Sequence, residues 1–450
     1  MTILSFSVQR VHFFMRRIEH LVSQIKKSDI GFRIANGAIW SFTGTSIAKL
    51  LVLVSSIFCA HILTKQEYGE LGMVRSTINM FVVFGSAGLG LTATKYISEF
   101  RDKNKEKIAS VYLLTNGFAF ITGLVVAIIV LITAPSLATN TLHTPHLLRP
   151  IRIGAILLFI TILNGAQNGV LSGFEDFKSI AINTFIGSFA EAILLLVGAY
   201  YGGVAGAILG YGVSFIVLFI ANFITIQKDF KIRGIKVSYS MLSKEDLSIL
   251  YKFSLPAALC AIIVAPTLWI AKTMLTNNNG FDELAIYEAA DQWRIIILFV
   301  PTAVSQVVLP ILSNVIGVDK TKFWKVLRTN LILNTSLATL IALLVSLSSP
   351  LIMRLYGGGY ESDYLVLIIL ACSTIFSVTA NVVGMAISSR SKMWEGFLFN
   401  LFWVIMVLAF ARLFIKIGLG AAGLALAYTL AYFIHTFIQL VYLRIVSNRG

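Results

Sequence analysis

The chain has 450 residues, 57% of them hydrophobic and only 13% charged, whereas soluble domains carry roughly 25% charged residues. A bilayer-spanning helix takes about 20 mostly apolar residues, so this composition fits about a dozen spans with short connections. It excludes a large soluble catalytic domain, a disordered tail and a disulfide scaffold. The formal charge of +15 would point to nucleic acid in a soluble chain, but in a membrane protein it must first be read as orientation.

In chain order, residues 1–33 space Leu4, Val8, Val11, Phe14, Ile18, Leu21 and Ile25 three or four apart among Arg10, Arg16, Arg17, Lys26 and Lys27. That pattern predicts a basic amphipathic segment on the cytoplasmic leaflet. No cleaved signal peptide is expected, because the first uninterrupted apolar stretch begins only after Arg33. Apolar stretches then fall at about 36–63, 72–97, 109–134, 151–173, 179–201 and 203–227. A second series follows at 253–276, 284–314, 329–350, 363–388, 394–416 and 419–446. Their runs do not alternate as membrane strands do, so an all-α polytopic protein of about 12 transmembrane helices is expected. Cys59, Cys260 and Cys372 all lie in these apolar stretches and read as packing residues.

With the N-terminus inside, 25 Lys and Arg fall on the cytoplasmic side and six on the other, and Lys49, Arg75, Lys95, Lys272 and Arg294 lie within spans. This asymmetry predicts both termini in the cytoplasm. Twelve acidic residues lie inside, six outside, and Glu191, Glu288 and Asp291 within spans. Most of the basic excess is therefore orientation, and no nucleic-acid partner is expected.

The basic connection 228–252 separates an N-lobe, 34–227, from a C-lobe, 253–450, with six spans in each. The halves echo each other. Tyr68 precedes Arg75 as Tyr287 precedes Arg294, and Thr115-Asn116 precede Pro135 much as Thr329-Asn330 precede Pro350. Six spans per half make the repeat parallel, an architecture that places a substrate site between lobes and works by alternating access.

Ionisable side chains within spans are costly and usually face a cavity or a partner. Arg75 and Arg294 occupy matching places in the repeat and could face one another across a central cleft; Lys49 and Lys272 form a second pair by position. Together they would make a cationic cavity suited to an anionic head group. The alternative is that each cation is neutralised nearby: Glu288 and Asp291 precede Arg294 on one helix, and Glu191 could reach Lys49 or Arg75. Glu191, Asp291 and Glu288 could equally take part in ion coupling. Pro256, Pro266, Pro301 and Pro310 in the seventh and eighth spans, with Gly85, Gly88 and Gly90 in the second, are candidate hinges or gates, although helix packing also accounts for small residues.

No phosphate-binding loop, His-Glu-x-x-His or Gly-x-Ser-x-Gly motif occurs, and no nucleotide domain is encoded. His143 and His146 flank a proline in an external loop and read as solvated rather than metal-bound. No catalytic residue, metal or cofactor is expected.

His61-Ile-Leu-Thr-Lys-Gln-Glu-Tyr-Gly-Glu-Leu-Gly72 runs toward Gly85-Ser-Ala-Gly-Leu-Gly-Leu-Thr-Ala-Thr-Lys-Tyr-Ile-Ser-Glu99. With 169–177, 287–294, 308–313 and 351–360, these segments resemble the Wzx-like polysaccharide flippases of the multidrug/oligosaccharidyl-lipid/polysaccharide (MOP) exporter superfamily, over roughly 35–446. The resemblance implies a V-shaped bundle of two six-helix lobes that flips undecaprenyl-diphosphate-linked oligosaccharide, such as an O-antigen repeat unit, across the bacterial inner membrane. It implies that Arg75 and Arg294 engage the diphosphate. Other polysaccharide-assembly proteins and membrane lipid are the implied partners. Relatives often carry an acid before the base of the seventh span, where this chain reads Ile270-Ala271-Lys272. A multidrug or metabolite antiporter is the first alternative, disfavoured by the excess of bases within spans; a membrane polysaccharide polymerase or ligase is the second, disfavoured by the short external loops.

Overall fold

A computed structural model describes residues 29–86, 88–238, 262–315, 320–389 and 393–449. The expected amphipathic segment (but for its last residues), most of the connection 228–252, Pro256 and Cys260 lie outside the described residues, as does the side chain of Pro310.

Every regular element among the described residues is helical: α1 (Asp29–Ile62), α2 (Lys65–Ser86), α3 (Leu89–Phe100), α4 (Lys105–Ser136), α5 (Leu148–Gly173), α6 (Phe177–Arg233), α7 (Val264–Asn279), α8 (Phe281–Val315), α9 (Lys320–Leu347), α10 (Ser349–Arg354), α11 (Tyr364–Ser389), α12 (Met393–Lys416) and α13 (Gly420–Arg449). Among the described residues, eight helices are long and apolar enough to cross a membrane, nine if α2 and α3 form one span. Side chains such as Ile132, Ile156, Leu344 and Leu347 stand exposed. Such a surface suits contact with hydrocarbon rather than water.

Local chemistry sets the ends. Asn104 caps α4 by accepting from the N–H groups of Glu106 and Lys107, and Asp176 caps α6 through the Ser179 N–H. Pro135 sits in the last turn of α4 and Pro350 in the first turn of α10, the second being where the absent proline N–H costs nothing. The second span is broken near the candidate glycines. Gly88, with φ of 69°, precedes α3, and α2 and α3 meet at 43°.

Helix α6 holds the expected fifth and sixth spans as a hairpin. Gly202 and Gly203 leave helical geometry, Gly203 at φ 54°, a conformation that costs side-chain-bearing residues about 1 kcal/mol or more. The two arms then lie side by side: Gly198 abuts the backbone of Gly206, and Asn183 Nδ2 donates to Asn222 Oδ1 and Thr225 Oγ1, both at 3.0 Å.

The N-half and C-half meet chiefly where α2 packs on α8 and α7, with α1 also touching α8. One end of the bundle is identified by its contacts. There Lys65 Nζ donates to Gly359 O at 2.6 Å and approaches Asp363 at 3.8 Å. His61 Nε2 lies 2.8 Å from Leu355 O, and Asn277 Nδ2 donates to Thr141 O at 2.8 Å. We call this the clasp face. At the opposite end, the basic face, Arg101 pairs with Glu175 at 2.9 Å and Arg233 lies over the Phe174 ring. Of the two described cysteines, Cys59 is buried as expected, whereas Cys372 is exposed on α11 rather than packed in the interior.

Candidate functional site

A cavity of about 400 Å³ lies where the halves meet. Helix α1 contributes Lys49, Ser56 and Cys59, α2 contributes Tyr68, Gly72 and Arg75, α7 contributes Lys272, and α8 contributes Glu288, Asp291 and Gln292. Gly72 permits the close approach of α2 to α8, since a Cβ there would meet the Glu288 side chain. At the clasp-face end, the Tyr68 hydroxyl lies 2.6 Å from Ser56 Oγ, and its ring packs edge-on against Tyr356 and Tyr360. These rings roof the cavity.

Three of the four predicted cations have carboxylate partners. Arg75 Nη2 donates to Glu191 Oε1 at 2.9 Å. Lys272 Nζ lies 2.6 Å from Glu288 Oε1. Arg294 Nε donates to Asp291 Oδ1, and its Nη1 donates to Tyr428 Oη at 2.9 Å. Lys49 has no carboxylate partner among the described residues; its Nζ lies 5.6 Å from the centroid of the Phe299 ring. The acid missing before Lys272 in α7 is thus matched by one from α8.

Arg75 and Arg294 do not face one another as the repeat suggests. Arg75 lines the cavity, whereas Arg294 is buried and absent from its lining, directed toward α13. Its acid lies one turn back on its own helix, so the pair folds onto the C-half. Yet the repeat survives in another contact. The Arg75 guanidinium stacks 4.3 Å from the Tyr211 ring, and that of Arg294 stacks 4.8 Å from Tyr428. These tyrosines lie in the second arm of α6 and in α13, which hold the expected sixth and twelfth spans. Tyr428 follows Arg294 at nearly the spacing by which Tyr211 follows Arg75, and this was the signal that could have revealed both tyrosines.

Of the candidate hinges, Gly88 stands at the N-cap of α3 next to the break in its span, and Gly85 packs closely on Ile162. Pro266 lies in the first turn of α7 (Val264–Asn279). Pro301 is buried within α8, which continues past it as one helix. His143 and His146 gather no metal set, and no cluster of three or more His, Cys, Asp or Glu suited to a metal occurs among the described residues. His146 instead pairs with Glu70 at 2.9 Å.

A helical bundle with a charged cavity between two echoing halves is the architecture of a membrane transporter. The fold is that of MOP-superfamily transporters. An inward-facing multidrug resistance MATE family transporter of that superfamily matches with a TM-score of 0.79 at 16% identity, covering 92% of this chain and 98% of the other. A MOP superfamily transporter from Pyrococcus furiosus, described as having a binding pocket of reverse polarity, matches with a TM-score of 0.72 at 16% identity over 94% and 97%. Residues 34–316 match the family described as polysaccharide biosynthesis protein, and the chain belongs to that family. It is also similar to the EPS I polysaccharide export inner membrane protein EpsE of Ralstonia nicotianae, 23% identical over 390 residues, 85% of this chain and 87% of that protein.

Proposed function

We propose that this chain is a flippase of the bacterial inner membrane that carries an undecaprenyl-diphosphate-linked oligosaccharide, an O-antigen or other surface-polysaccharide repeat unit, by alternating access. In this reading twelve spans form two six-helix lobes, 34–227 and 253–450, in a V-shaped bundle with both termini in the cytoplasm. The basic segment 1–33 rests on the cytoplasmic leaflet. The observation that carries the reading is the cavity between the halves, to which α1, α2 and α7 each bring a cation. The names of the relatives support a polysaccharide cargo, and transport rather than polymerisation or ligation.

Lys49 takes the diphosphate first, because it alone among the four cations has no carboxylate partner among the described residues to release. Arg75 joins it by exchanging Glu191 for phosphate, for which a guanidinium fork is well shaped. Arg294 acts behind the wall by holding Asp291. The sugars fill the aqueous part of the cleft and the polyprenyl tail stays in lipid.

The test is flipping of the lipid-linked donor in proteoliposomes. A hydrogen bond to a charged group is worth about 1.5–3 kcal/mol, so Lys49→Ala and Arg75→Ala should each slow flipping about tenfold or more. Rates equal to wild type would remove the residue from the mechanism. In cells, deletion should leave lipid-linked oligosaccharide on the cytoplasmic leaflet. The carboxylates in the cavity lining, Glu288 and Asp291, keep a second reading, a cation or drug antiporter of the same fold. Resistance to cationic drugs on overexpression, without an effect on surface glycan, would favour it.

A further inference from the structure

The clasp face carries a cleft of about 430 Å³ at the start of α5, lined by Pro145, His146, Leu148, Arg149, Arg152, Ile153 and Ile156. The cations around it are unusual for their place. On the same face Lys65 is paired with Asp363 and Arg354 with Glu361. Arg412 and Lys416 stand in the last turns of α12, where the exposed carbonyl ends favour positive charge. Arg149 and Arg152 are the opposite case. They lie in the first turns of α5, where the helix dipole disfavours a cation, and neither has an acidic partner among the described residues. Glu70, which His146 reaches, also accepts from Gln66. Two exposed guanidiniums and the positive end of a helix thus converge with no anion to balance them.

Below them the surface is apolar. Ile156 follows Arg149 and Arg152 on one face of α5 and is 61% exposed, and Ile153 also lines the cleft. An anion bound here would have its charge at the arginines and hydrocarbon immediately beneath, which is the layout of a lipid phosphate at a membrane boundary. The site is separate from the central cavity but sits at the same end of α2 as its tyrosine roof, since His146 reaches Glu70, two residues from Tyr68.

We propose that Arg149 and Arg152 bind the phosphate headgroup of an anionic lipid in the leaflet at the clasp face, with its acyl chain along Ile153 and Ile156. The proposal does not depend on the cargo of the central cavity. Its test uses the full chain in vesicles with two photoreactive lipids of identical acyl chains, a phosphatidylglycerol and a phosphatidylcholine, and maps labelled peptides by mass spectrometry. The phosphatidylglycerol probe should label the peptide spanning 145–156 several-fold more than the phosphatidylcholine probe. Arg149→Gln and Arg152→Gln should each lower that labelling about fivefold, and together about 25-fold. Arg412→Gln on the same face should leave it unchanged. Equal labelling by the two lipids in the unaltered protein overturns the proposal without any variant being made. So does an equal loss in Arg412→Gln, or displacement of the lipid by soluble inorganic diphosphate, which would make the site one for a free anion. Donor flipping is scored separately, so the lipid site and the flippase reading can fail independently.

Discussion

Arg75 and Glu191 are brought together from helices far apart in sequence, and both are largely shielded. Removing one partner leaves the other charged and unpaired, a change that costs about 3–5 kcal/mol in buried pairs, whereas replacing both with apolar residues is often neutral. Glu191→Gln should therefore lower the unfolding temperature of the detergent-solubilised protein more than Arg75→Met/Glu191→Met does. An equal loss in the two variants would mean that the cost does not come from the unpaired charge. The double variant should still fail to flip donor, which separates folding from function. For Arg294 the tyrosine makes a sharper probe. Tyr428→Phe keeps the stacked ring but removes the acceptor for Nη1, and should cost about 1–3 kcal/mol, measured by thermal denaturation. Tyr211→Phe likewise keeps the stacked ring but removes a hydroxyl that interacts with the Arg75 guanidinium, and should have a similar cost. Neither tyrosine stood out in the sequence, where fifteen tyrosines have equal claims until a guanidinium lies over one of them.

Among the elements, the α6 hairpin and the bent second span show what glycine decides. A continuous apolar stretch leaves open whether a helix turns back, bends or runs on. The Gly202-Gly203 turn returns the chain within two residues, and Gly198 and Gly206 let the arms touch backbone to backbone. Gly206→Val should separate the arms and break the Asn183–Asn222 contact, giving loss of monodisperse protein on size exclusion; a normal profile would show that the arms can tolerate a gap. The division of 179–201 from 203–227 was legible because both stretches have the length of a span. The bend at Gly88 was legible only as a candidate, since Gly85 and Gly90 lie close by and look alike in sequence.

Across the whole molecule, the clasp face holds the halves together by Lys65 with Gly359 and Asp363, His61 with Leu355, and the stack of Tyr68, Tyr356 and Tyr360. Alternating access requires these contacts to part. Lys65→Cys with Asp363→Cys, joined by a short bifunctional thiol reagent, should stop donor flipping, with recovery when a cleavable linker is cut. Continued flipping in the cross-linked protein would place the moving boundary elsewhere. No run of residues in sequence announces the clasp, because it is made by short loops whose partners lie in the other half of the chain.

The sequence by itself determined the helical class, the places of most apolar stretches, the crowding of basic residues into one set of connections and the family resemblance. Each of these depends on local composition or on short motifs, so each can be read without knowing what packs on what. Only the tertiary structure decided which carboxylate neutralises which base, that Lys49 has none among the described residues, and that Arg294 turns away from the cavity Arg75 lines. The physical reason is that hydropathy reports whether a residue lies within a span but not the direction its side chain takes around the helix axis. For a charge in a membrane, that direction sets whether it meets lipid, a partner or a ligand.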